Sequence, residues 1–399
     1  MEILIVGNGF AGISALETIR AHDREARITL LSAEPCGFYS PASLFAYLEG
    51  RVARENLFLR SEEHYVTLGA AALLGKCAVR LDLERRQVEL RDGSRLSYDR
   101  LLIATGASAR ALNVPGENHR GVFKLDTLAD AEALRAHAGR RVVIVGAGRI
   151  GVELASVMAE QGKQVILVEV MPSILPGVFA PEIGQCIHEE LNRHGVAIYL
   201  EESVSEIVGD PVTTVRTTRR EIPCDTVVVA TGRRPNVDWL PESLLGDTGG
   251  VRVDAFLCAA PGVYAAGDCA ETFDIDGRRG LYAVVPTAIA TGRIAALNLL
   301  GIATPYPGAL PANVLLVFGR PYFTIGSSEG EKVLRRVGGR LHLYVYRGGK
   351  LVGAQFSGDT SEAAQVASAV RQGLIAEGRP FDAWRRTLVL PVVLPSPPR

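Results

Sequence analysis

Ile3-Leu4-Ile5-Val6-Gly7-Asn8-Gly9-Phe10-Ala11-Gly12 is an apolar run that breaks into a glycine-rich turn. Val142-Val143-Ile144-Val145-Gly146-Ala147-Gly148-Arg149-Ile150-Gly151 repeats the pattern further along the chain. Short β-branched runs of this kind read as buried parallel strands. In each turn the first glycine (Gly7, Gly146) permits a tight bend. The second (Gly9, Gly148) lets the backbone approach a pyrophosphate, and the third (Gly12, Gly151) lets the following helix pack on the strand. The helix N-terminus then faces the negative charge. Phe10 and Ala11, and Arg149 and Ile150, ride on these turns and join the candidate cofactor-binding sets. A lone glycine triplet is equally a tight turn. Two of them, each with its strand, helix and downstream acid, mean that one chain holds two dinucleotides.

The downstream acids refine this. Val165–Val168 is the next strand of the second unit and ends at Glu169, about twenty residues on. A carboxylate there accepts both adenosine ribose hydroxyls and repels a 2′-phosphate. Val170 and Met171 follow it and bring no arginine for such a phosphate, so NADH is expected over NADPH. Glu34 takes the matching part in the first unit, one or two residues later than is usual.

Composition bounds the rest. The 399 residues are 47% hydrophobic and carry a net charge of −1. At roughly 100–200 residues per domain this means two to four domains. A near-neutral chain lacks the basic face of a nucleic-acid binder. No apolar run approaches the ~18–20 residues of a membrane span. Met1 leads almost directly into the first strand, so no signal peptide is expected. The six cysteines (Cys36, Cys77, Cys186, Cys224, Cys258, Cys269) are scattered, form no CxxC pair and match no metal spacing with histidine. A cytoplasmic protein with reduced thiols and no metal site is expected.

Strands and helices alternate, which implies parallel sheets and an α/β fold class with two Rossmann-like domains. Residues about 113–237 repeat the plan of the first unit, and after 237 the pattern returns to loop and strand. Leu101–Ala104 running into Thr105-Gly106 is echoed by Val227–Ala230 running into Thr231-Gly232. β-structure is expected around Ala78–Leu83 and at Gln87–Leu90, and helices at Ile150–Gln161 and about Thr287–Leu300. From about 310 to 399 a smaller α+β domain shows strands at Asn313–Phe318, Tyr322–Ile325, Leu341–Arg347 and Leu351–Phe356, then a helix near Ser361–Gln372. The tail with Pro391, Pro395, Pro397 and Pro398 reads as extended.

With these elements placed, the chain over about 1–375 resembles the flavin-dependent pyridine nucleotide–disulfide oxidoreductase family. Five segments carry the resemblance in family order: GNGFAG, LLIATGA, GAGRIGVELA, VVVATGRRPN and VYAAGDCAE. It implies a discontinuous FAD domain (1–112 and 238–309) interrupted by an NAD domain (113–237), then a C-terminal interface domain (310–399). FAD would sit on the first fingerprint, with Glu34, Val79, Ala104, Thr105, Gly106, Gly267 and Asp268. Asp268 would hydrogen-bond the ribityl chain. The helix starting near Pro286-Thr287-Ala288 would point its N-terminus at the flavin N1–C2=O edge, with Thr287 and Ala288 at the site. NADH would sit on the second fingerprint, with Glu169 and Gly232. Glu153 would lie near the nicotinamide pocket as the catalytic candidate. The weaker alternative is a helix-surface charge for Glu153 and a solvated strand end for Glu34 and Glu169.

One departure bears on function. The branch of NADH oxidases and coenzyme A-disulfide reductases carries a redox cysteine just after a Tyr-Ser pair. Here the stretch is Phe38-Tyr39-Ser40-Pro41-Ala42-Ser43-Leu44, and Ala42 takes the cysteine's place. Alanine forms no thiolate or mixed disulfide. Some members pair a lysine in this segment with a glutamate; none occurs before Lys76, with Arg51 or Arg54 as substitutes. The flavin itself must then hand on the electrons. The expectation is an FAD-dependent NADH:acceptor oxidoreductase of diaphorase type. Its partner would be a ferredoxin-like, rubredoxin-like or iron–sulfur protein, or it would serve as the NAD-reducing subunit of an aldehyde or 2-oxoacid oxidoreductase. A peroxide-forming NADH oxidase, a thiol reductase using Cys36, and a non-catalytic FAD/NADH-binding module stay open, as does homodimer against hetero-complex. Arg278-Arg279, Arg335-Arg336 and Arg385-Arg386 could dock an acidic partner, although such pairs are more often solvated faces.

Overall fold

The computed structural model describes residues 1–372, and counts of elements refer to those residues. The proline-bearing tail and Arg385-Arg386 lie outside them. The first unit comprises β1 (Glu2–Val6), α1 (Phe10–His22), β2 (Arg27–Ser32), α2 (Ser43–Leu48), α3 (Glu62–Thr67), β3 (Ala70–Leu74) and β4 (Arg100–Ile103). The strands are parallel in the order β4-β1-β2-β3. Ile3 to Val6 are all buried, which is why β1 reads as an unbroken apolar run rather than an alternating one. A three-stranded meander over Ala78–Asp82, Gln87–Leu90 and Arg95–Ser97 precedes β4.

The second unit comprises β5 (Val122–Phe123), α4 (Leu128–His137), β6 (Arg141–Val145), α5 (Arg149–Glu160), β7 (Gln164–Val168), α6 (Pro181–Arg193), β8 (Ala197–Tyr199) and β9 (Thr226–Val229). Its sheet is parallel, ordered β5-β9-β6-β7-β8. The sequence reading missed α6, although Pro181 at its start and the fully buried Ile183, Ile187 and Leu191, spaced by four, mark an amphipathic helix.

The duplication extends to single hydrogen bonds. Gly7 N–H donates to Leu31 O (2.8 Å) as Gly146 N–H donates to Val168 O (2.7 Å). Ala104 N–H donates to Val6 O as Ala230 N–H donates to Val145 O, both at 2.8 Å. A Cβ on Gly12 would lie 2.0 Å from Gly7 O, and one on Gly151 1.9 Å from Gly146 O. Each helix therefore sits against its turn as closely as backbone allows.

The chain leaves and re-enters the first unit through one antiparallel pair, Ala107–Ala109 with Arg233–Pro235. After the return, β10 (Cys258–Ala260) and β11 (Val263–Ala265) complete a six-stranded sheet, β10-β11-β4-β1-β2-β3. α7 (Val285–Leu299) follows and packs across α1. The crossing is close because the contact face is small: a Cβ on Gly292 would sit 2.3 Å from Ala11 O.

The third unit is an antiparallel sheet of β12 (Ala312–Val317), β13 (Arg320–Gly326), β14 (Glu331–Val337), β15 (Arg340–Arg347) and β16 (Lys350–Ser357), ordered β12-β13-β16-β15-β14, with α8 (Ala363–Gln372). Four of these strands were expected. The fifth, β14, is an edge strand rich in Lys and Arg, the composition that hides a strand from pattern reading and protects its edge. Tyr322 and Phe323 are core residues at 1% and 6% exposure.

Candidate functional site

Gly9 caps α1 and Gly148 caps α5, and neither cap uses a side chain. The first N–H groups of both helices are thus left for a ligand. A Cβ on Gly9 or Gly148 would meet nothing within 4 Å, whereas one on Gly7 or Gly146 would meet backbone at 1.9 and 2.5 Å. Space is therefore kept over each turn, where a phosphate would lie. Both cradles fit the pyrophosphate of a dinucleotide.

Glu169 is 8% exposed. Its carboxylate accepts from Ala147 N–H at 2.7 Å and from Met171 N–H at 2.9 Å, which fixes it at the rim of the second turn. Val170 and Met171, 63% and 45% exposed, form an apolar lip beside it. Arg220, which reaches this rim from a neighbouring loop, is paired with Glu202 at 3.0 Å and lies over the Tyr199 ring.

The first unit differs. By the matched hydrogen bonds above, the position equivalent to Glu169 is Ser32, the last residue of β2. Glu34 falls two residues beyond it. Rather than standing at the rim, its carboxylate accepts from Tyr39 O–H (2.7 Å), whose oxygen in turn accepts from Leu128 N–H (2.8 Å), and Leu128 N–H also reaches the carboxylate at 3.4 Å. Leu128 is the first residue of α4, so Glu34 ties the first unit to the second. Burial pushes its carboxyl above the usual range. Val79 is 41% exposed in the meander, just after Lys76, whose N–H bonds Ser32 O at the end of β2. Phe10 packs edge-on against Phe38, with ring centroids 5.0 Å apart.

Gly267 adopts φ +76°. A Cβ there would lie 2.9 Å from the Ala11 Cβ and 3.8 Å from that of Ala288. Ala11 and Ala288 are thus the small residues that admit this turn between α1 and α7. Thr291 accepts from Gly267 N–H (3.0 Å) and donates to Thr287 O (2.7 Å), locking the turn to the start of α7. Burial raises the Asp268 carboxyl, opposed by the nearby charges of Arg233 and Arg149. Thr105 O–H donates to Asn236 O (2.8 Å), and Gly232 O accepts from Arg110 N–H (2.9 Å), so both Thr-Gly turns lie at the chain crossing.

The third unit closes over the second along one row of α5. Arg149 bonds the Asn313 side chain. Glu153 accepts from Leu316 N–H at 3.0 Å, and Ser156 Oγ accepts from Phe318 N–H at 2.7 Å. The free edge of β12 is thereby satisfied by helix side chains. Burial pushes the Glu153 carboxyl up to about 7. Ser156 and Asn313 were missed in the sequence, although 149, 153 and 156 share one helix face at spacings of four and three.

Ala42 caps α2. All six cysteines are free, and Cys36 is pushed up to about 11 by burial and by Glu34 beside it. Arg51 pairs with Glu49 and Arg54 with Glu132. Arg278 pairs with Glu329, and Arg335 lies over the Tyr344 ring. No group of three or more His, Cys, Asp or Glu that could hold a metal occurs among the described residues, and no helix of theirs is long and apolar enough to cross a membrane.

Two dinucleotide-binding units sharing a seam under a third domain define an FAD-dependent NAD(P)H oxidoreductase. The family described as pyridine nucleotide-disulphide oxidoreductase matches residues 1–292, and the chain belongs to it. It is 29% identical over 386 residues to a nitrite reductase [NAD(P)H] of Bacillus subtilis, covering 93% of this chain but 47% of that protein, so the chain spans about half the length of that relative. It is 31% identical over 348 residues to the NADH-dependent phenylglyoxylate dehydrogenase subunit epsilon of Aromatoleum evansii, covering 84% of this chain and 82% of that one. The structure of a covalent putidaredoxin reductase–putidaredoxin complex matches with a TM-score of 0.87 and 26% identity, covering 94% of each chain.

Proposed function

We propose that this protein is an NADH:acceptor oxidoreductase of diaphorase type that exchanges electrons with a protein partner of the ferredoxin, rubredoxin or iron–sulfur-subunit class. Ala42 carries the reading: where a redox cysteine would relay electrons, this chain has a side chain that relays none. At Cys36, burial and the Glu34 carboxylate raise the thiol to about 11, which disfavours a thiolate at neutral pH.

The chemistry supplied by bound FAD is acceptance of two electrons and one proton from NADH, with the nicotinamide C4–H bond breaking and one negative charge left on the reduced ring system. The protein's part is to bind and orient. Gly146 to Gly151 hold the pyrophosphate, and Glu169 holds the adenosine ribose and disfavours a 2′-phosphate, which supports NADH over NADPH. Gly7 to Gly12, Asp268 and the start of α7 hold FAD. Names among the relatives support a protein partner: one is a subunit of an NADH-dependent dehydrogenase, and one solved complex joins such a reductase to putidaredoxin. Six free thiols support a cytoplasmic setting.

The test compares NADH turnover with oxygen alone and with a [2Fe–2S] ferredoxin or rubredoxin coupled to cytochrome c. The reading expects oxygen turnover at least tenfold slower than that with a carrier. Equal rates with formation of hydrogen peroxide would overturn it in favour of an oxidase.

A further inference from the structure

Arg149 is anomalous as a charge. It is the first residue of α5, where the helix dipole is positive and a cation is unfavourable. It is half-buried, and among the described residues no carboxylate lies within ion-pair distance of it. Its bonds go to neutral oxygens: the Asn313 side chain in β12 and Ala283 O (3.4 Å), two residues before α7. Asp268 and Glu153 lie farther off and act on it only through space, and Arg233 opposes it. Burying a cation without a paired anion costs several kcal/mol. Such a residue persists where a ligand supplies the negative charge.

The position says which charge. Arg149 starts from the turn that holds the second dinucleotide, yet its guanidinium reaches away from that turn. It ends between the loop leading into α7 and β12, within electrostatic range of Asp268. All three units meet there, so it lies between the two cofactor sites rather than over either pyrophosphate. We propose that Arg149 is the electrostatic control residue of the flavin, stabilising the negative charge that accumulates on the ring system when NADH is oxidised. Asn313 and Ala283 O hold the guanidinium in place beforehand, so little reorganisation is needed when the charge appears. The inference rests on the flavoprotein reading above.

The test uses the full chain with its flavin bound, as wild type, Arg149→Met and Arg149→Lys. Each is equilibrated anaerobically with a dye of known potential and reduced by dithionite, with no NADH present. At the point where wild-type flavin is half reduced, the reduced-to-oxidised ratio in Arg149→Met is expected to fall about tenfold, a shift of about 30 mV for a two-electron couple. Arg149→Lys is expected to recover most of it. An unchanged ratio in Arg149→Met together with a raised NADH Kd would overturn the inference and make Arg149 a pyrophosphate anchor. An unchanged ratio with only a lowered Tm would overturn it in favour of a packing role. A wild-type protein that binds no flavin would instead overturn the functional reading beneath it.

Discussion

The carboxylate of Glu169 stands 2.7 Å from the backbone N–H of Ala147, the residue between the first two glycines of the second turn. A second bond from Met171 N–H holds its other oxygen. Charge-assisted bonds of this kind contribute roughly 1.5–3 kcal/mol each. They hold both carboxylate oxygens in place at the rim of the turn, where the proposed function puts the adenosine ribose. Glu169→Ala is expected to raise the NADH Kd about tenfold, or ~1.4 kcal/mol, and to narrow the gap to NADPH. Flavin content should stay unchanged. Fluorescence titration with both nucleotides checks this; equal wild-type affinity for NADPH would contradict it.

Glu34 is expected to behave differently from Glu169. Its carboxylate links Tyr39 O–H to Leu128 N–H across two units. Glu34→Ala should therefore destabilise the protein by about 1–2 kcal/mol while changing flavin affinity by less than about threefold, since its direct role is at the inter-unit contact. Denaturant midpoints and flavin retention through a desalting column separate the two effects.

Glu153 gives a pH signature. Its carboxyl is raised from 4.5 to about 7 in the folded protein. Between those values the folded state binds more protons than the unfolded chain, so this group's contribution to stability falls as pH rises through that window. Glu153→Gln keeps an acceptor for Leu316 N–H and removes the titration. The variant's Tm should depend less on pH between 4.5 and 7 and should exceed that of wild type at pH 8. A parallel displacement of the whole Tm profile would refute the assignment.

Two helix glycines make a paired test of packing. Gly292→Ala should destabilise by about 1–3 kcal/mol despite a gain of up to ~1 kcal/mol in helix propensity, because its Cβ would lie 2.3 Å from Ala11 O. Gly184→Ala in α6, where the nearest atom is 3.8 Å away, should be neutral or stabilising. Denaturant midpoints of both variants decide it.

Much of this architecture was legible in the residues. The two glycine turns and their buried strands are local patterns, so both sheets and both cradles could be read from short windows. What was hidden is non-local or masked by charge. Glu153 and Leu316 are 163 positions apart, and nothing in either stretch announces that a helix side chain caps a strand edge. The fate of Glu34 turned on where β2 ends, and strand ends are poorly marked in sequence. The basic edge strand Glu331–Val337 lacks the alternation that betrays a half-buried strand, and α6 carried a clear signal that went unread.

On the proposed function, electrons pass through the flavin with no cysteine relay. The most direct measurement is an anaerobic titration of the purified protein with NADH, followed by its visible spectrum. Bleaching of the flavin with about one equivalent of NADH is expected, with no long-wavelength thiolate charge-transfer band. A charge-transfer band and uptake of a second equivalent, both lost in Cys36→Ser, would contradict it.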